Sequence, residues 1–448
     1  MSCNKIIDSV VKAGYCIGCG ACTYQCKNKN LTTKINSDGF YEVYSLNSCN
    51  NDCDCHSINV CPFNPTPEDI VKNENSIAKI FLTTSQKDHK KIGHYNNIYA
   101  GYSRKYRATS SSGGIATYAL AYLLKNKLVK YIITVQESNL PGNYFEYKIS
   151  NSIEEITATS KTRYSPVTLE DVLKIINSLD GNVAIVGVGC FIKSIRLLQH
   201  YNPELKEKIS FLVGIICGGI KSKFFTEYLA NKINILPEDI HNPEYRIKDP
   251  ESSANDYSFG CFDKDNRRRT IKMKTVGDMW GTGLFKANAC DFCDDVTTEL
   301  ADISVGDAWL KPYSDDGYGC NVIVTRSIIA DEIIKYGINN SELEIHNISE
   351  DIFISSQRGS YNHRQDALHY RIQKNKKNAP PLPKRIITTR ISILEKLIQN
   401  IRMSTRKKSL IIWKKNKNSK IFDKKMHSIL LLLRIATKIN HLKRRLFK

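Results

Sequence analysis

A chain of 448 residues, 41% of them hydrophobic, is too long for one small core and too apolar to be disordered. Its net charge of +20 is unevenly placed: residues 371–448 hold 24 Lys and Arg against two acids, whereas the preceding 370 residues hold 41 bases and 43 acids. A near-neutral body argues against nucleic-acid binding there, because phosphate recognition needs a basic face, whereas the tail alone has the charge to bind a polyanion.

Fifteen cysteines set the direction of the reading. The stretch Met1–Asp8 lacks the basic start and long apolar run of a secretory leader, so a cytoplasmic chain is expected. Clustered thiols in that compartment serve metal or redox chemistry rather than disulfides. Residues 1 to about 75 carry most of them and few aliphatic runs. Cys16-Ile-Gly-Cys19-Gly-Ala-Cys22-Thr-Tyr-Gln-Cys26 has the C-x2-C-x2-C-x3-C spacing of bacterial ferredoxins. In such runs the first three cysteines hold one 4Fe–4S cluster and the fourth reaches to another. Cys16, Cys19, Cys22 and Cys61, which precedes Pro62, form one expected ligand set. Cys26 would join Cys49, Cys53 and Cys55 at a second. That second group departs from pattern, with spacings of three, one and five residues, and Lys27 stands where proline usually follows the run. The competing reading is a zinc knuckle. A segment so poor in aliphatic residues would lean on bound clusters for its core.

A polar connection over residues 76–98 leads to an α/β pattern from about 99 to 370. Val129 to Val135, Val183 to Val188 and Phe211 to Ile216 are short β-branched runs that predict buried strands. Helical spacing follows glycines at Ile115 to Leu124, Phe191 to Gln199 and Lys223 to Ala230. Strand, glycines, then helix is an arrangement that gathers backbone N–H groups for phosphates or anionic clusters. Cys190 and Cys217 each end a predicted strand, and Cys290-Asp-Phe-Cys293 follows Trp280-Gly-Thr-Gly. Four thiols could thus converge at one sheet edge, where open α/β sheets place their sites. Alternatively Cys190 and Cys217 are buried structural residues beside an unrelated pair. Cys3, Cys261 and Cys320 read as ordinary thiols.

Asn378-Ala-Pro-Pro-Leu-Pro-Lys384 predicts a stiff linker. Beyond it, residues 384–448 form a basic tail in which Leu394, Leu397, Ile398 and Ile401 share one helical face. Ile429 to Leu433 is its longest apolar run and Arg434 ends it, far short of a membrane span. A basic amphipathic tail of this kind reads either as a peripheral contact with an anionic membrane or as a solvated, partly disordered tail that binds nothing.

The chain resembles the coenzyme F420 hydrogenase/dehydrogenase beta-subunit family. The resemblance rests on Ser110-Ser-Ser-Gly-Gly114, Gly187-Val-Gly-Cys190, Gly214-Ile-Ile-Cys217-Gly-Gly219, Cys290-x-x-Cys293 and Ala301-Asp-Ile-Ser-Val-Gly-Asp307-Ala-Trp309, in family order. It covers about residues 1–330. It implies an α+β or α/β protein: a two-cluster ferredoxin-like domain over 1–75, a flavin- and cluster-binding α/β domain over 99–370, and the helical tail. It implies two or three 4Fe–4S clusters and FAD. Cys190, Cys217, Cys290 and Cys293 look like the ligands of the inner cluster, although Gly189 stands where the family usually has proline. Ser110, Ser111, Ser112, Gly113 and Gly114 look like part of the flavin site, the small residues admitting close backbone approach. Asp302 and Asp307 flank a predicted strand, and each reads either as a hydrogen-bond partner of flavin or substrate or as a solvated turn acid. The expected function is an iron–sulfur flavoprotein oxidoreductase, fed by a ferredoxin or reductase and acting on a hydride-accepting substrate. Members with a fused ferredoxin segment resemble those of surface-polysaccharide gene clusters, which points to a small-molecule or lipid-linked sugar substrate. The alternatives are a deazaflavin-linked subunit acting on coenzyme F420 and a non-enzymatic electron-transfer adaptor.

Overall fold

The computed structural model describes residues 4–47, 56–140, 142–375, 382–384 and 390–446. An eight-stranded mixed sheet organises the body. Its order is Leu343–Asn347, Asn97–Ser103, Asn321–Thr325, Ile303–Asp307, Ile209–Ile215, Val183–Val188, Tyr131–Glu137 and Phe145–Ser150. The four strands from Ile303–Asp307 to Tyr131–Glu137 run parallel, and antiparallel strands extend both sides. The class is the expected mixture of helix and sheet.

Alternation along the parallel strands feeds two cores, because successive side chains point to opposite faces. Ile132, Ala184, Phe211 and Val213 pack with the helices Ile115–Lys125 and Ile328–Asn339. Their neighbours Ile133, Val183, Ile185 and Leu212 pack with the helix Gly189–Tyr201. The N-terminal segment joins this second core. Ile6, Val10, Leu31, Val43, Val60 and Ile77 are buried in the same cluster as Ile195 and Leu198. Its aliphatic residues stand in ones and twos between polar ones, so they show no long run in the sequence, yet they bury against a helix of the larger domain. The segment therefore does not depend on clusters alone for its core.

A smaller antiparallel sheet, His241–Ile247, Ser258–Phe262 and Arg268–Lys272, lies beside the body. It shares a third core with the helix Lys223–Lys232 and the tail. The tail is two helices, Ile393–Asn416 and Ser419–Leu446. Ser392 and Glu395 form a reciprocal capping box at the first, and Lys417 turns the chain at φ 44° between them. Ile398 and Ile401 pack against Leu433 and Ala436, making an antiparallel hairpin. Trp413, Phe422 and Met426 fasten it to Tyr228 and Phe285 of the body. No described helix is long and apolar enough to cross a membrane.

Candidate active site

Two groups of four thiols come together. Cys22 lies within electrostatic reach of Cys19, Cys16 and Cys61. Cys190 likewise faces Cys293, Cys290 and Cys217. Cys16, Cys19 and Cys22 come from the loop and short helix at the N-terminus, and Cys61 closes the set from a turn. Cys190 occupies the first turn of the Gly189–Tyr201 helix, and Cys217 follows the Ile209–Ile215 strand. The two groups are neighbours: Cys19 is coupled to Cys190, its thiol is hydrogen-bonded by Ser194 one turn further along the same helix, and Tyr147 faces both sulfurs.

Burial pushes the Cys16 and Cys293 thiols up to about 12, and Cys22, Cys61 and Cys190 well above their ordinary range. Several buried thiols facing one another are poor thiolates unless cations compensate them. The surroundings supply donors of that kind. The Gly219 N–H donates to Cys217 Sγ and the Ile220 N–H to Cys290 Sγ, each at 3.2 Å. Arg364 Nη1 lies 3.7 Å from Cys293 Sγ and donates to the Asp295 carbonyl at 2.6 Å. Burial opposes its charge, but Cys293, Cys217 and Cys290 hold it more firmly protonated than usual. Among the described residues, no three His, Cys, Asp or Glu side chains close tightly enough around one point for a single metal ion. A cubane takes one thiolate at each of four irons, so its sulfurs stand farther apart than around one zinc ion.

Cys26 is buried and its sulfur accepts the Asn30 N–H at 3.3 Å. Cys49, Cys53 and Cys55, its expected companions, lie outside the described residues. Cys261 sits in the third core, and Cys320 is buried 3.4 Å from Arg107 Nη2.

The inner quartet abuts a cavity of about 810 Å³. The cavity opens at the C-terminal ends of the parallel strands, where Val188, Cys217 and Asp307 line it, as open α/β sheets predict. Its volume lies within the roughly 300–1,000 Å³ that cofactor sites occupy. Five cationic side chains, Lys161, Arg163, Lys221, Arg246 and Arg358, line it against one carboxylate, Asp307. Arg246 pairs with Asp307 at 2.5 Å and lies over the rings of Tyr257 and Trp309. Arg163 Nε is buried with no hydrogen-bond partner among the described residues. Tyr164 and Trp280 meet edge to face at 4.5 Å, with Lys221 Nζ 4.6 Å from the Trp280 ring. Burial, then Lys286, pushes the Lys221 amine down to about 7. An orphaned guanidinium donor, surplus positive charge and flat aromatic walls fit an anionic, ring-bearing group such as FAD.

Ser110, Ser111, Ser112 and Gly114 line the cavity, as do Ile115, Ala116 and Thr117 of the first turn of the Ile115–Lys125 helix, whose Ile115 N–H donates to Asn321 Oδ1 at 3.3 Å. The role expected of the glycine pair needs correction. A Cβ on Gly113 would come within 2.7 Å of Asn321 Oδ1 and 2.8 Å of the Gly101 carbonyl. One on Gly114, whose φ is +78°, would meet the Tyr106 carbonyl carbon at 2.6 Å. Both glycines are thus crowded by protein, Gly113 by Asn321 and backbone and Gly114 by backbone; Gly114 lines the cavity, whereas Gly113 is not among the lining residues. The two aspartates separate as well. Asp302 is structural, held by Arg196 at 3.0 Å and the Leu212 N–H at 2.9 Å, whereas Asp307 faces the cavity.

Sequence reasoning missed Arg163, Lys221, Arg246 and Arg364. Lys221 follows the Cys217-Gly-Gly turn and could have been found there. Arg246 arrives from the small sheet and Arg364 from a helical turn, with no motif around either.

Residues 98–174 match the family model for the N-terminal part of the coenzyme F420 hydrogenase/dehydrogenase beta chain, and residues 180–351 match the model for its C-terminal part. The chain is 25% identical over 363 residues to the coenzyme F420-dependent sulfite reductase of Methanocaldococcus jannaschii, covering 76% of this chain and 49% of the relative. It thus spans about half the length of that relative. It is 23% identical to a subunit of the F(420)H(2) dehydrogenase of Methanosarcina mazei, covering 67% of this chain and 77% of that one. Against the beta subunit of the coenzyme F420 hydrogenase of Methanothermobacter thermautotrophicus the identity is also 23%, over 58% and 87% of the two chains. A chain of the F420-reducing NiFe hydrogenase complex from Methanosarcina barkeri superposes with a TM-score of 0.51 at 20% identity, covering 66% of this chain and 99% of that one; it shows the shared fold. With both halves of the family matched across more than half its length, this chain belongs to the coenzyme F420 hydrogenase/dehydrogenase beta-subunit family.

Proposed function

We propose that the chain is an iron–sulfur flavoprotein oxidoreductase subunit that exchanges electrons between a protein partner and coenzyme F420. The observation that carries this reading is the double role of Cys217, a member of the inner quartet that also lines the cavity. Thiols and cavity thereby form one continuous path. A bound cluster would carry single electrons and a bound flavin would exchange them in pairs as hydride.

The chain's own residues divide the remaining work. The outer quartet, nearest the N-terminus, would hold the entry cluster, and Cys190, Cys217, Cys290 and Cys293 the inner one. Gly219, Ile220 and Arg364 direct positive dipole and charge at the inner sulfurs. Arg163 and Arg246 attract phosphate-bearing ligands, while Tyr164 and Trp280 wall off water beside the reacting face. The names of the three relatives carry coenzyme F420, so the deazaflavin reading stands ahead of the surface-polysaccharide one, and a lipid-linked sugar substrate draws no support from them. Two of those relatives are named as subunits, which supports a protein partner; a ferredoxin or reductase would serve as the one-electron side.

Anaerobically purified protein tests this. The expected result is about one FAD per chain, with reduced F420 driving reduction of a viologen. Flavin-free protein that leaves reduced F420 unchanged would overturn it. Flavin-free protein that still relays electrons between one-electron partners would make the chain an adaptor.

A further inference from the structure

We propose that the outward face of the C-terminal hairpin is a docking surface for an anionic lipid bilayer. The Ser419–Leu446 helix has two apolar faces. One, with Phe422, Met426, Leu433 and Ala436, is buried against the body and the partner helix. The other comprises Leu431, Leu432, Ile435, Ile439, Leu442 and Leu446, all exposed, with Leu446 at 79%. At roughly 100° per residue these six fall within an arc of about 100°, centred some 130° from the buried face. At the same end of the hairpin, where Arg444 pairs with Glu395, Ile393 is 85% exposed.

Charge selects the occupant. Lys438 and Arg434 flank the exposed arc on one side, Lys425 and Lys443 on the other, and all four are exposed. The helix has a single acid, Asp423, already engaged by Lys232 and Tyr228. Two copies meeting on this face would oppose cation to cation. A nucleic acid would use the charges but leave the leucine row in water. A bilayer of anionic lipids uses both, with the apolar arc at the acyl boundary and the lysines among headgroups. The helix is too polar to cross, so it lies in the plane of the surface. None of the quartet or cavity-lining residues lies on the exposed arc, so substitutions there leave those side chains in place.

Full-length protein is sedimented with vesicles of phosphatidylcholine alone and of phosphatidylcholine with phosphatidylglycerol, at low and high salt. The expected result is binding to the anionic vesicles, weakened by salt and at least several-fold weaker on neutral ones. Leu432→Asp, Ile435→Asp and Ile439→Asp together should weaken it roughly tenfold or more, and so should Lys425→Glu, Lys438→Glu and Lys443→Glu together. All six positions are exposed, so both variants should keep the parent's iron content and circular dichroism. Protein left in the supernatant with anionic vesicles at low salt overturns the proposal. So does unchanged binding by the Asp variant, which would leave charge alone at work. A concentration-dependent dimer that the Asp variant abolishes, without vesicle binding, would give the face to a second copy instead.

Discussion

Replacing Cys290 and Cys293 together by serine tests the inner quartet most directly. Serine nearly matches cysteine in volume but offers iron no soft anionic sulfur. Its hydroxyl can still accept the Ile220 N–H, and Arg364 keeps its hydrogen bond to the Asp295 carbonyl, so the local fold has little reason to collapse. The outer quartet draws its ligands from residues 16–22 and 61 and should survive. Iron and acid-labile sulfide should each fall by about four atoms per chain, the content of one cubane. A spectroscopic consequence follows from Cys19 lying within electrostatic reach of Cys190. Two reduced paramagnetic clusters that close should broaden and split one another's resonance. The variant should lose that coupling and show the sharper signal of a cluster without this neighbour. Paramagnetic resonance of the dithionite-reduced proteins at low temperature, with iron and sulfide assays, decides the matter. Unchanged iron and an unchanged spectrum would refute the reasoning and leave Cys290 and Cys293 a structural pair. Stoichiometric zinc without labile sulfide in the parent would refute both quartets.

Lys248 donates to the carbonyls of Arg107 and Ser112 behind the serine segment, and burial, with Arg107 and Arg246 nearby, pushes its amine down to about 7. Unfolded, it would hold its proton to about 10.4, so between those values the unfolded chain binds more protons and stability should rise with pH; Lys248→Met should flatten that part of a denaturation–pH profile, and an unchanged slope would count against it. Gly114→Ala must place a Cβ at φ +78° against the Tyr106 carbonyl carbon, so it should cost about 1–3 kcal/mol in chemical denaturation; a folded, fully stable variant that had only lost flavin would restore the glycine to the ligand. Trp413→Ala removes a fully buried ring and the donor to Glu227 Oε2 at 2.8 Å. It should destabilise the docked hairpin by about 3–5 kcal/mol, read as new protease sensitivity in the tail while the body stays resistant.

The parallel core of the sheet was legible because its strands are continuous apolar runs. Val183–Val188 appears as expected, and the helices at 115, 189 and 223 begin within two residues of their predicted starts. The strand read from Val129 begins two residues later, since Lys130 and Tyr131 first bond to Asn182. The antiparallel additions were not legible. Leu343-Glu-Ile-His-Asn is an edge strand with only Leu343 buried, and the small sheet is broken by Pro243 and an irregular register. Cysteine spacing suggested both groupings, because thiols are scarce and seldom clustered without a shared task, and the fold brings the members of each within electrostatic reach of one another. The charged half of the site was hidden for the opposite reason. Arginine and lysine are common, and only the tertiary fold distinguishes Arg163, facing the cavity with an unpartnered nitrogen, from one in water. The glycine pair misled because a positive φ and close packing demand glycine whether the neighbour is ligand or protein.

The tail is more than an appendage to this site. Asp291 stands between the two cysteines of the C-x2-C pair and is almost fully buried. Burial works against its charge, yet Lys286 at 2.6 Å and Arg406 at 2.9 Å hold it well below the usual carboxylate range. Arg406 belongs to the first tail helix, and Gln399, two turns earlier, bonds His363 and Arg371, the latter also gripping the Asp291 carbonyl. A buried carboxylate tolerates the loss of one such partner poorly, at about 3–5 kcal/mol for a broken pair. The hairpin is therefore built into the loop that carries two inner-quartet thiols. A free tail would need only a linker and an amphipathic helix. This one has a covered face packed on the body, a charged clamp on the loop that carries Cys290 and Cys293, and a second apolar face left outward.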